Sequence, residues 1–189
     1  MGPTVVDRLQ SEFSGLISVL DEAGEISLKS TADDNLRKAL LLATTSYFEH
    51  RMTDAVLSFV SHITNGHVLI TSFVRNKAIS RQYHTWFNWD KKNANSFFGL
   101  FGIDFREFMK EKIKNDDELE VSIQAFLELG NDRNRLVHQN FGSFSLEKTS
   151  DEIYAQYQKA MKFIDAFPGA LREFTIATAV EEIEPTKKP

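Results

Sequence analysis

The run Arg133-Asn134-Arg135-Leu136-Val137-His138 sets an arginine, an adjacent amide and a histidine within one and a half helical turns. A permanent cation beside a side chain that titrates near neutrality is the minimum equipment for cleaving RNA without a metal. RNA supplies its own nucleophile, the 2′-OH, so a protein need only move protons and neutralise charge. Arginine-to-histidine spacings of this kind also arise by chance, so the elements that carry the run must decide what it means.

The helix that positions these residues begins at Asp116-Asp117. Its apolar positions are Leu119, Ile123, Phe126, Leu127 and Val137, which follow the spacing of one buried face. Extending that face by seven residues from Phe126 and Leu127 lands on Arg133 and Asn134, and four more from Asn134 lands on His138. Three polar groups therefore stand where packing calls for leucine, a costly arrangement unless they are paired or exposed at an interface. A second anomaly is Glu49, seven residues after Leu42 on a stripe shared with Val56 and Val60. A half-buried carboxylate there calls for a cation, and Arg133 is the expected partner. In a purely structural reading the two form an ion pair while His138 caps a helix end.

The chain has 189 residues, enough for one domain with a substantial core. It has no cysteine, so disulfides and thiolate metal sites are excluded, and the net charge of −5 argues against nonspecific coating of nucleic acid. A local basic cleft can still work on an acidic body. No apolar run approaches the roughly 20 residues of a membrane span, and Asp7, Arg8, Gln10 and Glu12 interrupt any apolar region of a secretory signal. The expected location is cytoplasmic, with no membrane partner. His50, His62, His67 and His84 lack metal-ligand spacing, so no metal and no cofactor is expected.

Prolines occur only at positions 3, 168, 185 and 189, which together with the apolar periodicity gives an all-α reading. Helices are expected over 5–20, 32–63, 68–79, 96–114, 117–138 and 150–174, with Asp33 and Asp34 at the start of the second and Asn65-Gly66 closing it. The fifth begins at Asp116-Asp117, and the last is expected to kink or break at Pro168. The fourth is expected to break near Gly99 and Gly102, and 139–148 to form a loop. This divides the chain into an N-terminal helix and connector (1–31), a helical domain (32–174) and a disordered charged tail (175–189). The segment from Arg81 to Asn93 reads as an inserted aromatic loop, and its Trp86 and Trp89, with Lys91 and Lys92, are candidate RNA contacts that could stack and neutralise an unpaired strand. Arg135 joins them as a flanking cation.

The six-residue run resembles the signature of the HEPN superfamily: arginine, a neighbouring polar residue and, four to six positions on, a histidine near a helix end. The stretches Tyr83-His84-Thr85-Trp86-Phe87-Asn88-Trp89-Asp90 and Asn93-Ala94-Asn95-Ser96-Phe97-Phe98-Gly99-Leu100-Phe101-Gly102, with Ser46-Tyr47-Phe48-Glu49, look like the branch named for its association with RiboL-PSP proteins. The resemblance covers residues 32–170. It implies an α-helical bundle, a homodimer in which two copies of the motif form one composite cleft, and a metal-independent endoribonuclease acting as a toxin or anti-phage defence effector, with an antitoxin or defence-system partner. Other relatives have lost catalysis and serve as modules for dimerisation, RNA binding or partner docking. The branch modified by a nucleotidyltransferase partner usually carries tyrosine just before the histidine, where this chain has Val137. On this reading His138 is the general base or acid, Arg133 stabilises the phosphorane-like transition state, Asn134 orients the imidazole or donates to phosphate, and Glu49 supports them.

Overall fold

The computed structural model describes residues 2–139, 141, 142 and 144–183, the side chains of 180–183 excepted. Among these residues the fold is all-α and no strand occurs. Helix α1 (Val5–Glu22) opens on a capping box in which Thr4 Oγ1 accepts from the Asp7 amide and the Asp7 carboxylate accepts from the Thr4 amide. Gly24, at φ 70°, turns the chain directly into α2 (Ile26–Ile63). The expected connector at 21–31 is therefore mostly helix, and the boundary expected between residues 31 and 32 falls inside α2. The reason lies with Asp33 and Asp34: they do not cap a helix start but pair with Arg37 and Lys38 on the next turn.

The expected stop at Asn65-Gly66 is present, with both residues at positive φ and the Gly66 amide donating to the Ser61 carbonyl. Helix α3 (Val68–Val74) continues into one π-helical turn, Arg75–Ile79. The aromatic segment contains a short helix, α4 (Tyr83–Trp86), and α5 (Asn95–Gly99) is separated from α6 (Ile103–Lys114) by Gly102 at φ 106°. Helix α7 (Asp117–His138) starts on Asp116, whose side chain accepts from the Leu119 amide. Helix α8 runs unbroken from Ser150 to Ile183 through Pro168. The lost hydrogen bond at the proline is tolerated because Phe163, Ile164, Phe167, Ala170 and Leu171 hold both sides of it in the core. The tail expected to begin at 175 is helical as far as Ile183, and the rest of that expectation lies outside the described residues.

Helices α2, α7 and α8 pack on one another, and α1 lies against α2 and α8. Between them the inserted segment builds an aromatic core, with Phe87 4.5 Å from Phe97 and 4.9 Å from Phe126, centroid to centroid. The loop after α7 is fastened from two sides. From α2, the buried Lys38 ammonium donates to Asp34 and to the Phe141 carbonyl, while Arg37 donates to the Leu146 carbonyl. Lys148 reaches back to Asp132 at 2.6 Å and Glu128 at 2.7 Å on α7. These contacts fix the end of α7, and with it the six-residue run. Among the described residues no helix is long and apolar enough to cross a membrane.

Candidate active site

On α7 the buried face runs through Leu119, Ile123, Phe126 and Leu127 to Gly130. Beyond Gly130 the pattern changes. Asp132 and Leu136 are buried, Arg133 and Asn134 are half-buried, and Val137, expected on the apolar face, is 45% exposed. The cause is Trp89, whose indole lies on Gly130 so closely that any Cβ there would overlap the ring. The aromatic segment thus takes the place of a helix neighbour and leaves a cavity beside Arg133 instead of a packed leucine.

That cavity, of about 160 Å³, is framed by α2, α4 and α7 and lined by Glu49, Arg81, Tyr83, His84, Arg133 and Asn134. Arg133 Nη1 donates to Asn134 Oδ1 at 3.2 Å, so the guanidinium and the amide act as one hydrogen-bonded unit. The structural ion pair expected between Arg133 and Glu49 is absent: Glu49 is exposed, and among the described residues the arginines in salt bridges are Arg37, Arg51, Arg106 and Arg135. Glu49 and Arg133 meet instead through the field they place on Tyr83. Burial pushes the Tyr83 hydroxyl well above its ordinary range; the Glu49 carboxylate adds to that shift and Arg133 opposes it.

His138 is the last residue of α7 and is exposed. It opens into a separate, shallower groove of about 490 Å³, shared with Asn134, Asn131, Trp89 and Asp90. Asn134 and Trp89 line both spaces and so form the wall between them. The structure therefore brings Arg133 to Asn134 and Asn134 to the groove of His138, but within one chain it does not put Arg133 and His138 in the same concavity.

The flanking residues divide sharply. Trp86 is only 5% exposed, donates through Nε1 to the Ala78 carbonyl and stacks on Phe97, so it is a core residue and cannot stack on a base. The cause is its place on α4, which faces α2 and α5. Trp89 is half-buried and reaches both concavities. Lys91 and Lys92 are exposed. Arg135 is engaged with Asp132 at 3.6 Å and lies over the Phe144 ring, which assigns it to holding the following loop. Sequence reasoning missed Gly130 and His84 as lining residues. A glycine interrupting an apolar helix face one turn before the motif was a legible sign of close approach. His84 carried no periodic signal, because only the tertiary fold brings α4 to α7.

The sequence model of RiboL-PSP-HEPN matches residues 7–173. The chain belongs to the RiboL-PSP-HEPN family. That match begins inside α1. Comparison with curated proteins and with solved structures finds no match. Among the described residues of this HEPN chain, no group of three or more His, Cys, Asp or Glu side chains converges as a metal site would require.

Proposed function

We propose that this chain is a metal-independent endoribonuclease that acts as a homodimer in the cytoplasm. The observation that carries the reading is Arg133: a half-buried guanidinium on a core-facing stripe, in a solvent-connected cavity, tied to Asn134 and to no carboxylate among the described residues. Such a cation is expensive to hold unless an anion arrives, and a phosphodiester fits its planar fork of donors.

In the reaction a base takes the proton of the 2′-OH and the 2′-oxygen bonds to phosphorus. The bond from phosphorus to the 5′-oxygen breaks, and an acid returns a proton to that oxygen. The products are a 2′,3′-cyclic phosphate and a 5′-hydroxyl. Arg133 stabilises the charge on the non-bridging oxygens, Asn134 holds the guanidinium and the phosphate in register, and His138 transfers a proton. A second copy across a two-fold axis supplies a second histidine, so that one acts as base and the other as acid. The role as a toxin or anti-phage effector, with an antitoxin or defence partner, rests on the family resemblance.

The separation of Arg133 from His138 within one chain favours a second reading, a non-catalytic HEPN module that binds RNA or a partner through the Arg133 cavity. Incubation of the purified chain with a panel of RNAs in chelator distinguishes the two. The nuclease reading expects cleavage that is lost in Arg133→Ala and in His138→Ala while dimerisation is retained. Binding of RNA that depends on Arg133, without cleavage and without dependence on His138, supports the module instead.

A further inference from the structure

The cavity beside Arg133 has walls and a rim that phosphate chemistry alone does not require. Its volume, about 160 Å³, is close to the ~150 Å³ of an apolar cavity that admits one benzene ring. Phe48, Tyr83, Trp89 and Phe126 line it, with Trp89 5.9 Å from Tyr83 and 5.8 Å from Phe126 between ring centroids. An aromatic-walled space of that size suits a single flat ring. Glu49 supplies the carboxylate of the lining. An ionised carboxylate only accepts hydrogen bonds, so it favours a ring bearing an exocyclic amine over one that presents a carbonyl at the same edge. Among pyrimidines that choice is cytosine over uracil.

The rim also carries Arg81, which holds φ 61°, a backbone conformation disfavoured for a residue with a Cβ. Among the described residues, no salt bridge of Arg81 offsets that cost, and the side chain is exposed beside the same cavity as Arg133. Two arginines thus flank a one-ring pocket, and Asn134 leads from it into the groove of His138.

We propose that this cavity takes the base of a cytidine in single-stranded RNA, with the 3′-phosphate of that nucleotide held by Arg133 and Arg81. The proposal rests on the ribonuclease reading and places the cytidine on the 5′ side of the scissile bond, with the following nucleotide in the groove of His138. Cleavage then falls after cytidine.

The test is a titration of the full chain with 3′-CMP, 3′-UMP and 3′-AMP, read by tryptophan fluorescence. The chain has two tryptophans; Trp86 is buried, which leaves Trp89 at the cavity as the responsive one. Saturable quenching by 3′-CMP is expected at about tenfold or more lower concentration than by the other two nucleotides. Glu49→Gln, at an exposed position, should remove the difference between 3′-CMP and 3′-UMP, and Arg81→Ala should weaken both. Equal affinity for all three, a preference for 3′-AMP, or no saturable response to 3′-CMP overturns the proposal. Mapping of cut ends separates this from the parent reading. RNA cleaved as readily after purines as after cytidine sinks the subsite and keeps the nuclease. Selective 3′-CMP binding by a chain that cuts no RNA sinks the nuclease and keeps a cytidine site.

Discussion

The indole of Trp89 rests on Gly130: a Cβ built on that glycine would lie 2.0 Å from Cζ3 and 2.2 Å from Cε3 of the ring. On its other side the ring is tethered, since Trp89 Nε1 donates to the His84 carbonyl at 3.0 Å. This contact explains why a glycine interrupts α7 and why a cavity, not a leucine, precedes Arg133.

Two effects oppose each other in Gly130→Ala. Alanine improves helix propensity by about 1 kcal/mol. Overpacking against a tethered ring costs about 1–3 kcal/mol, and a contact this short sits toward the upper end. The expected net change is a loss of about 1–2 kcal/mol in denaturant unfolding, with a shifted tryptophan emission as Trp89 moves. A stabilised variant with unchanged emission would show that the ring does not lie on this residue.

Lys148 holds the loop after α7 through Asp132 and Glu128. Burial pulls the Lys148 ammonium down, but its two carboxylate partners outweigh that and leave it raised from 10.5. Burial likewise pushes the Glu128 carboxyl up, and the hydrogen bonds from Lys148 and Gln156 outweigh that and leave it lowered from 4.5. The Glu128 contribution is complete above its unfolded pKa and disappears as pH falls through the lowered folded one; the Lys148 contribution is complete below its unfolded pKa and disappears as pH rises through the raised folded one. Lys148→Met should cost about 1–2 kcal/mol at neutral pH, discounted for partial exposure, and flatten the acid limb of a Tm-against-pH curve. Superimposable curves for the two proteins would remove the clamp from the account.

Much of this was legible from periodicity and turn chemistry. Asp116 starts α7, Asn65-Gly66 ends α2 and Gly102 divides α5 from α6 as the residue types require. Two boundaries failed for one reason: local signals were overruled by packing. Asp33 and Asp34 look like a helix start but serve Arg37 and Lys38 within α2, and Pro168 looks like a break but lies between buried turns of α8. The anomaly of Arg133 and Asn134 was visible as polarity on an apolar stripe. Its cause was not, because Trp89, forty-one positions before Gly130, reaches α7 only through the tertiary fold.

Tyr157 Oη and Thr4 Oγ1 share a hydrogen bond of 2.8 Å that ties the start of α1 to α8. Burial pushes the Tyr157 hydroxyl up to about 12, with Asp7 adding to the shift and the Thr4 bond opposing it. A raised folded pKa means that the unfolded chain ionises first, so stability falls as pH climbs from about 10 toward 12. Tyr157→Phe should lose about 1 kcal/mol at neutral pH, yet show a shallower alkaline limb. A spectrophotometric titration in which the variant lacks no step near the top of the range would contradict the assignment.

In the proposed reaction Arg133, Asn134 and His138 drive attack by the substrate's own 2′-oxygen. The most direct measurement uses a cleavable RNA and the same strand with a single 2′-deoxy nucleotide on the 5′ side of the scissile bond, both incubated in chelator and followed by end-group analysis. The all-ribose strand is expected to be cut to a 2′,3′-cyclic phosphate and a 5′-hydroxyl, while the deoxy strand stays intact at that bond. Cutting at the deoxy position, or a 5′-phosphate product, would contradict that reaction.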